Sequence, residues 1–212
     1  MAEPHRVEGD VVGEVAGCDE AGVGCIAGDM IAAAVILPRD CPLPLADSKR
    51  LSTSAREGLY DALMQNPHVQ SGIGRVTHKE IDDLGMARCR RLVFERALDD
   101  LATNSLERLN REPRIRHIII DGTLFDGWRG VSFECIPRAD ATIACVSAAS
   151  ILAKVTRDRY MRDLLQQHPD CGVYGWATNM GYPTTAHRKA VVEHGPSPFH
   201  RTSFRIRASQ DC

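Results

Sequence analysis

Asp19 and Glu20 follow an apolar run, Val11-Val12-Gly13-Glu14-Val15-Ala16, and lead straight into Ala21-Gly22-Val23-Gly24. Carboxylates are depleted in strands and expensive to bury unpaired. Two of them at the mouth of a strand therefore demand a partner, and a divalent cation is the obvious one. The glycine-rich turn adds exposed backbone N–H groups, which suit phosphate. Adjacent strand residues point to opposite faces, so the two acids share one site only where the backbone twists at the strand end.

The 212 residues suffice for one substantial core with an appendage, given roughly 100–200 residues per domain. Apolar content of 43% and charged content of 25% are ordinary for a globular protein. No apolar run approaches the ~20 residues of a membrane helix, and the first residues lack the basic start and apolar core of a signal peptide. A cytoplasmic monomer without membrane contact is the expectation. Cys18, Cys25, Cys41, Cys89, Cys135, Cys145, Cys171 and Cys212 show no CxxC pair, and most read as small buried hydrophobes. A net charge of −2 does not announce a nucleic-acid binder, although basic patches can balance an acidic centre.

Strand-like patterns cover 13–18 and 26–37, joined by the glycine turn as a hairpin. A helix follows over 53–66, with Ser52 or Thr53 as its cap, then a strand over 69–76 and a long helix over 86–103. The latter turns Leu92, Val93, Ala97, Leu98 and Leu101 inward. Residues 117–122, His-Ile-Ile-Ile-Asp-Gly, read as a buried central strand whose C-terminal end opens on a site. A strand over 131–136, an alanine-rich helix opened by Asp140 and running to about Arg159, and a helix over 183–194 complete the order. Strands first, helices alternating later and a helical C-terminal part make an α/β fold, with a catalytic domain over 11–165 and a helical extension over 166–212 packed on it.

Asp19, Glu20, Asp121 and Asp140 are thus carboxylates where structure rarely wants them. Each has a duller explanation: Asp140 can cap its helix, and Asp121-Gly122 can be a turn. Jointly they fit two Mg²⁺ or Mn²⁺ ions, hard cations that prefer oxygen ligands. Ions about 3.5–4 Å apart suit phosphodiester hydrolysis. On the helix opened by Asp140, residues 144, 147, 151 and 154 would follow along one face, carrying Ser147 and Lys154 toward a phosphate backbone; packing and solvation explain those two residues equally well.

These pieces resemble the ribonuclease HII (type 2 ribonuclease H) family. They are Asp19-Glu20-Ala21-Gly22 with Gly24 and Ala27-Gly28, Asp47-Ser48-Lys49-Arg50-Leu51-Ser52, and Ile120-Asp121-Gly122. Further along come Asp140 with 148–158, Gly181-Tyr182-Pro183-Thr184 with His187, and His200-Arg201-Thr202-Ser203-Phe204. All occur in family order from Gly17 to Phe204. The resemblance implies a ribonuclease H-like mixed sheet flanked by helices, a choice that periodicity alone does not make. It also implies that Asp19, Glu20, Asp121 and Asp140 are the catalytic, metal-binding acids of an endoribonuclease. Its substrates would be RNA–DNA hybrids and DNA duplexes containing ribonucleotides, cut 5′ of the ribonucleotide to leave 3′-hydroxyl and 5′-phosphate ends. Substrate contacts implied in the same way are Gly22, Val23, Gly24, Ser48, Lys49, Lys154 and Tyr182, to which the helix-face spacing adds Ser147. Tyr182 would stack beside the RNA–DNA junction, and Arg50, Arg157, His187, His200 and Arg201 would face the backbone.

The chain departs from the family pattern in three places. Val23 stands where the family has arginine, in the turn that senses the 2′-hydroxyl and adjacent phosphate; Asp29 replaces an expected proline; and Arg138-Ala139 replaces the glycine before the last acid. An active nuclease with weakened or altered junction selectivity is the expectation. The alternatives are a different nuclease or strand-transfer enzyme on the same fold, and a weakened paralogue that mainly binds hybrids. Retention of all four acids opposes pure binding, because negative charge repels phosphate.

Overall fold

A computed structural model describes residues 14–45 and 51–205. Its centre is a five-stranded sheet in the order β3-β2-β1-β4-β5, built from β1 (Glu14–Ala21), β2 (Met30–Ile36), β3 (Gln70–Val76), β4 (Ile115–Asp121) and β5 (Ser132–Ile136). The β1–β2 and β2–β3 pairs are antiparallel, while β1–β4 and β4–β5 are parallel. This is the mixed sheet expected, and the glycine turn joins β1 to β2 as expected. The strand bounds differ. β1 runs on through Asp19 and Glu20 to Ala21, and β2 begins only at Met30, leaving residues 22–29 as a loop.

Helices cover both faces: α1 (Thr53–Gln65), α2 (His78–Leu84), α3 (Met86–Leu109), α4 (Ala144–Gln167), α5 (Trp176–Asn179) and α6 (Thr185–His194). Strand alternation decides which side chains meet which helix. Ala16, Cys18, Ala32, Ala34, Ile118 and Ile120 pack with Val93, Phe94, Ala97 and Leu98 of α3. Ala21, Ala33 and Val35 pack with Ala148, Ile151 and Leu152 of α4 and with Leu63 of α1. Three successive alanines in β2 keep both faces of the strand flat, so both helices lie close. Gly74 on β3 takes this furthest, since a Cβ there would overlap the Val93 carbonyl oxygen of α3.

A third cluster joins Ile26 and Ala27 of the 22–29 loop to Met161 and Leu164 of α4 and to Tyr174, Trp176, Ala190 and Val191. The C-terminal helices thus clamp the loop after β1. Ile26 N–H donates to the Gly181 carbonyl at 2.9 Å and Gly28 N–H to the Phe199 carbonyl at 2.9 Å.

Four helical expectations need correction. Helix α2 was not expected, although Thr77 and Glu80 form a complete capping box at its start. Helix α3 continues to Leu109 and α4 to Gln167, each more than a turn beyond its expected end. Asp140 does not open α4: it lies in a separate 3-10 turn (Ala139–Ala141), and α4 starts at Ala144 after Ile143. The described cysteines are all unpaired, and among the described residues no helix is long and apolar enough to cross a membrane.

Candidate active site

The parallel β1–β4 register pairs Cys18 with Ile120, so Asp19 and Asp121 occupy neighbouring positions one residue further along. Cys18 and Ile120 face α3, and alternation therefore sends Asp19 and Asp121 to the α4 face and Glu20 to the α3 face. The hydrogen bonds agree. Asp19 bonds to the hydroxyl of Ser150 on α4, whereas Glu20 Oε1 accepts from Arg90 Nη2 of α3 at 2.8 Å.

Asp140 arrives from the turn before α4. Ala139 N–H donates to Asp121 Oδ1 at 2.9 Å, and the Ser147 hydroxyl donates to the Asp140 carbonyl. One carboxylate oxygen from each of Asp19, Asp121 and Asp140 lies within 4.8 Å of the others. Glu20 is outside this trio but lines the same cleft, and its Oε2 is buried without a hydrogen-bond partner.

Burial pushes the Asp19 carboxyl up to about 8, with the charges of Glu20 and Asp121 adding to the effect and the Ser150 hydrogen bond opposing it. Burial also raises Glu20, against the pull of Arg90. Carboxylates crowded and desolvated in this way do not ionise together without positive charge. The donor set is all oxygen, which suits a hard divalent cation, and the unpartnered Glu20 Oε2 leaves a further oxygen for it. The residues present fit Mg²⁺ or Mn²⁺.

The cleft, of about 260 Å³, is lined by these acids together with Gly22, Val23, Gly24, Arg56, Lys154 and Tyr182, among others. Lys154 Nζ pairs with Asp158 at 2.7 Å and stands 5.6 Å from the centre of the Tyr182 ring. Tyr182 keeps 39% of its surface exposed, a large share for an aromatic ring beside a charged cleft. Gly22 has φ +98°, and a Cβ there would collide with the Arg157 side chain; glycine is required on both counts. Val23 turns its side chain into the α3-side core, and its carbonyl accepts from Arg201 Nη1 at 3.0 Å.

Ser147, expected at the phosphate backbone, is instead buried beneath the Asp140 turn, because its hydroxyl serves the Asp140 carbonyl. Arg157 and Arg201 are likewise not backbone contacts. Both are fully buried, and their guanidinium groups are spent on loop carbonyls: Ala27, Asp29 and Met180 for Arg157, Val23 and Gly28 for Arg201. His187 and His200 are buried too and bonded to each other, Nε2 to Nε2, at 3.0 Å. His187 Nδ1 meets the Tyr182 carbonyl at 2.8 Å, so these histidines fix the tyrosine's backbone and do not face substrate. Ser48, Lys49 and Arg50 lie outside the described residues.

Two residues were missed, and Ser150, which reads only as a packing residue or phosphate contact, bonds Asp19. Arg56 carries no signal beyond its proximity to a recognised segment. Arg90 does: it sits three, four and seven residues before Val93, Phe94 and Ala97, a charge on the stripe that α3 buries. Asp29, noted only as a departure from proline, is a buried carboxylate held by His78 Nδ1 at 2.9 Å and Arg75 Nε at 2.6 Å. Arg138 takes φ +63° ahead of the Asp140 turn, a conformation glycine would adopt at less cost.

The family model described as Ribonuclease HII matches residues 16–207. A Ribonuclease HII of Bacteroides thetaiotaomicron is 38% identical over 192 residues, covering 90% of this chain and 89% of that relative. One from Granulibacter bethesdensis is 40% identical over 210 residues, with 95% and 88% covered. Among solved structures, the ribonuclease H2 from Pyrococcus horikoshii OT3 superposes with a TM-score of 0.70 at 26% identity, covering 91% of this chain and 94% of that one.

Proposed function

The chain belongs to the ribonuclease HII family, and on that premise we propose that it is an endoribonuclease hydrolysing the RNA strand of RNA–DNA hybrids. It would also incise duplex DNA 5′ of an embedded ribonucleotide, leaving 3′-hydroxyl and 5′-phosphate ends. The observation that carries this reading is the convergence of Asp19, Asp121 and Asp140 within 4.8 Å at the floor of a cleft walled by Lys154 and Tyr182.

Asp19, Asp121 and Asp140, with Glu20 beside them, are the residues that would hold Mg²⁺ or Mn²⁺. Two such ions would supply an activated water and charge stabilisation at the departing oxygen. The protein's own groups do the rest. Lys154 and Arg56 give the cleft positive charge along one wall, which positions a phosphate backbone without reading sequence. Tyr182 offers an exposed aromatic face on which a base or sugar can stack. Arg201 holds the Val23 carbonyl and the Arg157 side chain lies against Gly22, so that residues 22–24 line the cleft where the ribonucleotide would lie.

Val23 supports a refinement. With its side chain packed inward, residue 23 offers no guanidinium to an adjacent phosphate, so junction selectivity would rest on Tyr182 and the loop backbone and would be weaker. End-labelled substrates test the whole reading: a continuous hybrid and a duplex with one ribonucleotide, each with and without Mg²⁺ or Mn²⁺. Metal-dependent cleavage of both is expected. Binding without cleavage would move the chain to the hybrid-binding alternative.

A further inference from the structure

Arg90 approaches the acidic centre from the face opposite the aspartate trio. Its Nη2 lies 2.8 Å from Glu20 Oε1, and a Cβ on Gly122 would come within 3.1 Å of the same atom. The guanidinium is therefore wedged between Glu20 and the backbone just past Asp121. Its Nε is buried without a partner, so the side chain is held there by Glu20 and by packing and not by a saturated hydrogen-bond set. Glu20 in turn keeps one buried oxygen unpaired. A pair with an unsatisfied atom on each side is one that can be rearranged.

We propose that Arg90 is a positioning residue and built-in counter-ion of this centre: it holds Glu20 on the α3 side, and an incoming divalent cation must compete with it for that carboxylate. The inference rests on the cation-dependent reading of the cleft. A guanidinium is permanently charged, and at 2.8 Å it occupies one oxygen of the Glu20 carboxylate. The same charge repels a dication arriving beside it. Arg90 thus lowers the affinity for the ion nearest Glu20 and leaves an ion held by the three aspartates less affected.

Mn²⁺ titration by calorimetry, without substrate at pH 8, tests this on the full chain. Arg90→Gln removes the charge while keeping a polar amide at the position, and Arg90→Lys keeps the charge. Thermal melts verify that each is folded. Arg90→Gln is expected to tighten the weaker Mn²⁺ event roughly fivefold, Arg90→Lys to stay within about twofold of wild type, and the Arg90→Gln effect to vanish when Glu20→Gln is added. An unchanged or weaker Mn²⁺ affinity in Arg90→Gln overturns the proposal, and so does tightening that persists without the Glu20 carboxylate. Should Arg90→Gln fail to fold, the Lys and Glu20→Gln proteins still decide: Glu20→Gln must weaken the second event, and if it does not, Glu20 holds no cation for Arg90 to oppose. Hybrid cleavage by wild type is scored separately. Cleavage with an unmoved Mn²⁺ isotherm, or with no Mn²⁺ uptake at all, removes the Arg90 role and leaves the nuclease reading intact, whereas no Mn²⁺ uptake together with no metal-dependent cleavage removes both.

Discussion

Asp121 Oδ1 accepts the backbone N–H of Ala139 at 2.9 Å, and this bond ties the end of β4 to the turn that carries Asp140. One carboxylate both shapes the site and belongs to it. Asp121→Asn separates the two roles, since an amide oxygen can still accept from Ala139 while the negative charge is lost. Cleavage of an end-labelled hybrid is expected to fall by more than about 100-fold, beyond the usual effect of residues that only support metal ligands. Hybrid binding by fluorescence anisotropy should persist. Cleavage near wild-type rates would take Asp121 out of the reaction.

Tyr182 presents its ring at the cleft on a backbone fixed by His187. Tyr182→Ala should weaken binding of a ribonucleotide-containing duplex by about 1–3 kcal/mol, the range for a lost base stack, and Tyr182→Phe should retain it. Anisotropy titrations of the two variants give the comparison; equal loss in both would assign the effect to the hydroxyl.

Val23→Arg restores a cation to the glycine turn. Because Val23 packs inward, the longer side chain must swing into the cleft. The expected outcome is a higher ratio of cleavage at a single ribonucleotide to cleavage of a continuous hybrid, by about tenfold, as one charge-assisted phosphate contact of roughly 1.5 kcal/mol allows. Identical ratios in variant and wild type would acquit Val23.

The buried histidines make stability fall on acidification. His200 is pushed down to about 4 by burial and by His187, and His187 is lowered by burial. Below the ordinary value of 6.5 the unfolded chain takes up protons that the folded protein resists. The stability tied to neutral His200 is therefore present above pH 6.5 and lost as pH falls toward 4, on the order of 2–3 kcal/mol. Asp19, raised from 3.8 to about 8, gives an opposite slope over much of that range. The readout is accordingly the difference between wild type and His200→Gln in urea unfolding, which should narrow steadily from pH 7 to 4. A difference that does not vary with pH would mean that His200 already titrates normally.

Gly74→Ala tests the seat of α3. A Cβ at Gly74 would overlap backbone of Val93 and Ala97, and backbone cannot step aside as a flexible side chain can. A loss of about 3 kcal/mol or more is expected from such overpacking, read as a lower urea midpoint. Activity should fall with it, because α3 packs against Cys18 and Ile120, the strand positions that precede Asp19 and Asp121.

Much of this molecule is local in origin and was legible in the chain. Strands ending in acids, an apolar stripe at helical spacing in α3 and a serine cap before α1 each depend on residues within a few positions of one another, and so did the assignment to a family with an acidic centre. Other features depend on residues distant in sequence, and only the folded chain decides them. Asp140 reads as a helix cap, but β4 and the Ser147 hydroxyl hold it in a separate turn. Arg157, Arg201, His187 and His200 read as groups for nucleic acid, but the loop after β1 leaves its carbonyls unpaired by any strand, and buried carbonyls must find donors. The C-terminal extension supplies Arg201 and the histidines, α4 supplies Arg157, and the loop claims both arginines. The division between Asp19 and Glu20 has the same origin. Strand alternation, a property of sequence, sends them apart; which of the two meets the other acids was settled by β4 lying beside β1 in parallel, a pairing across about a hundred residues that no local pattern encodes.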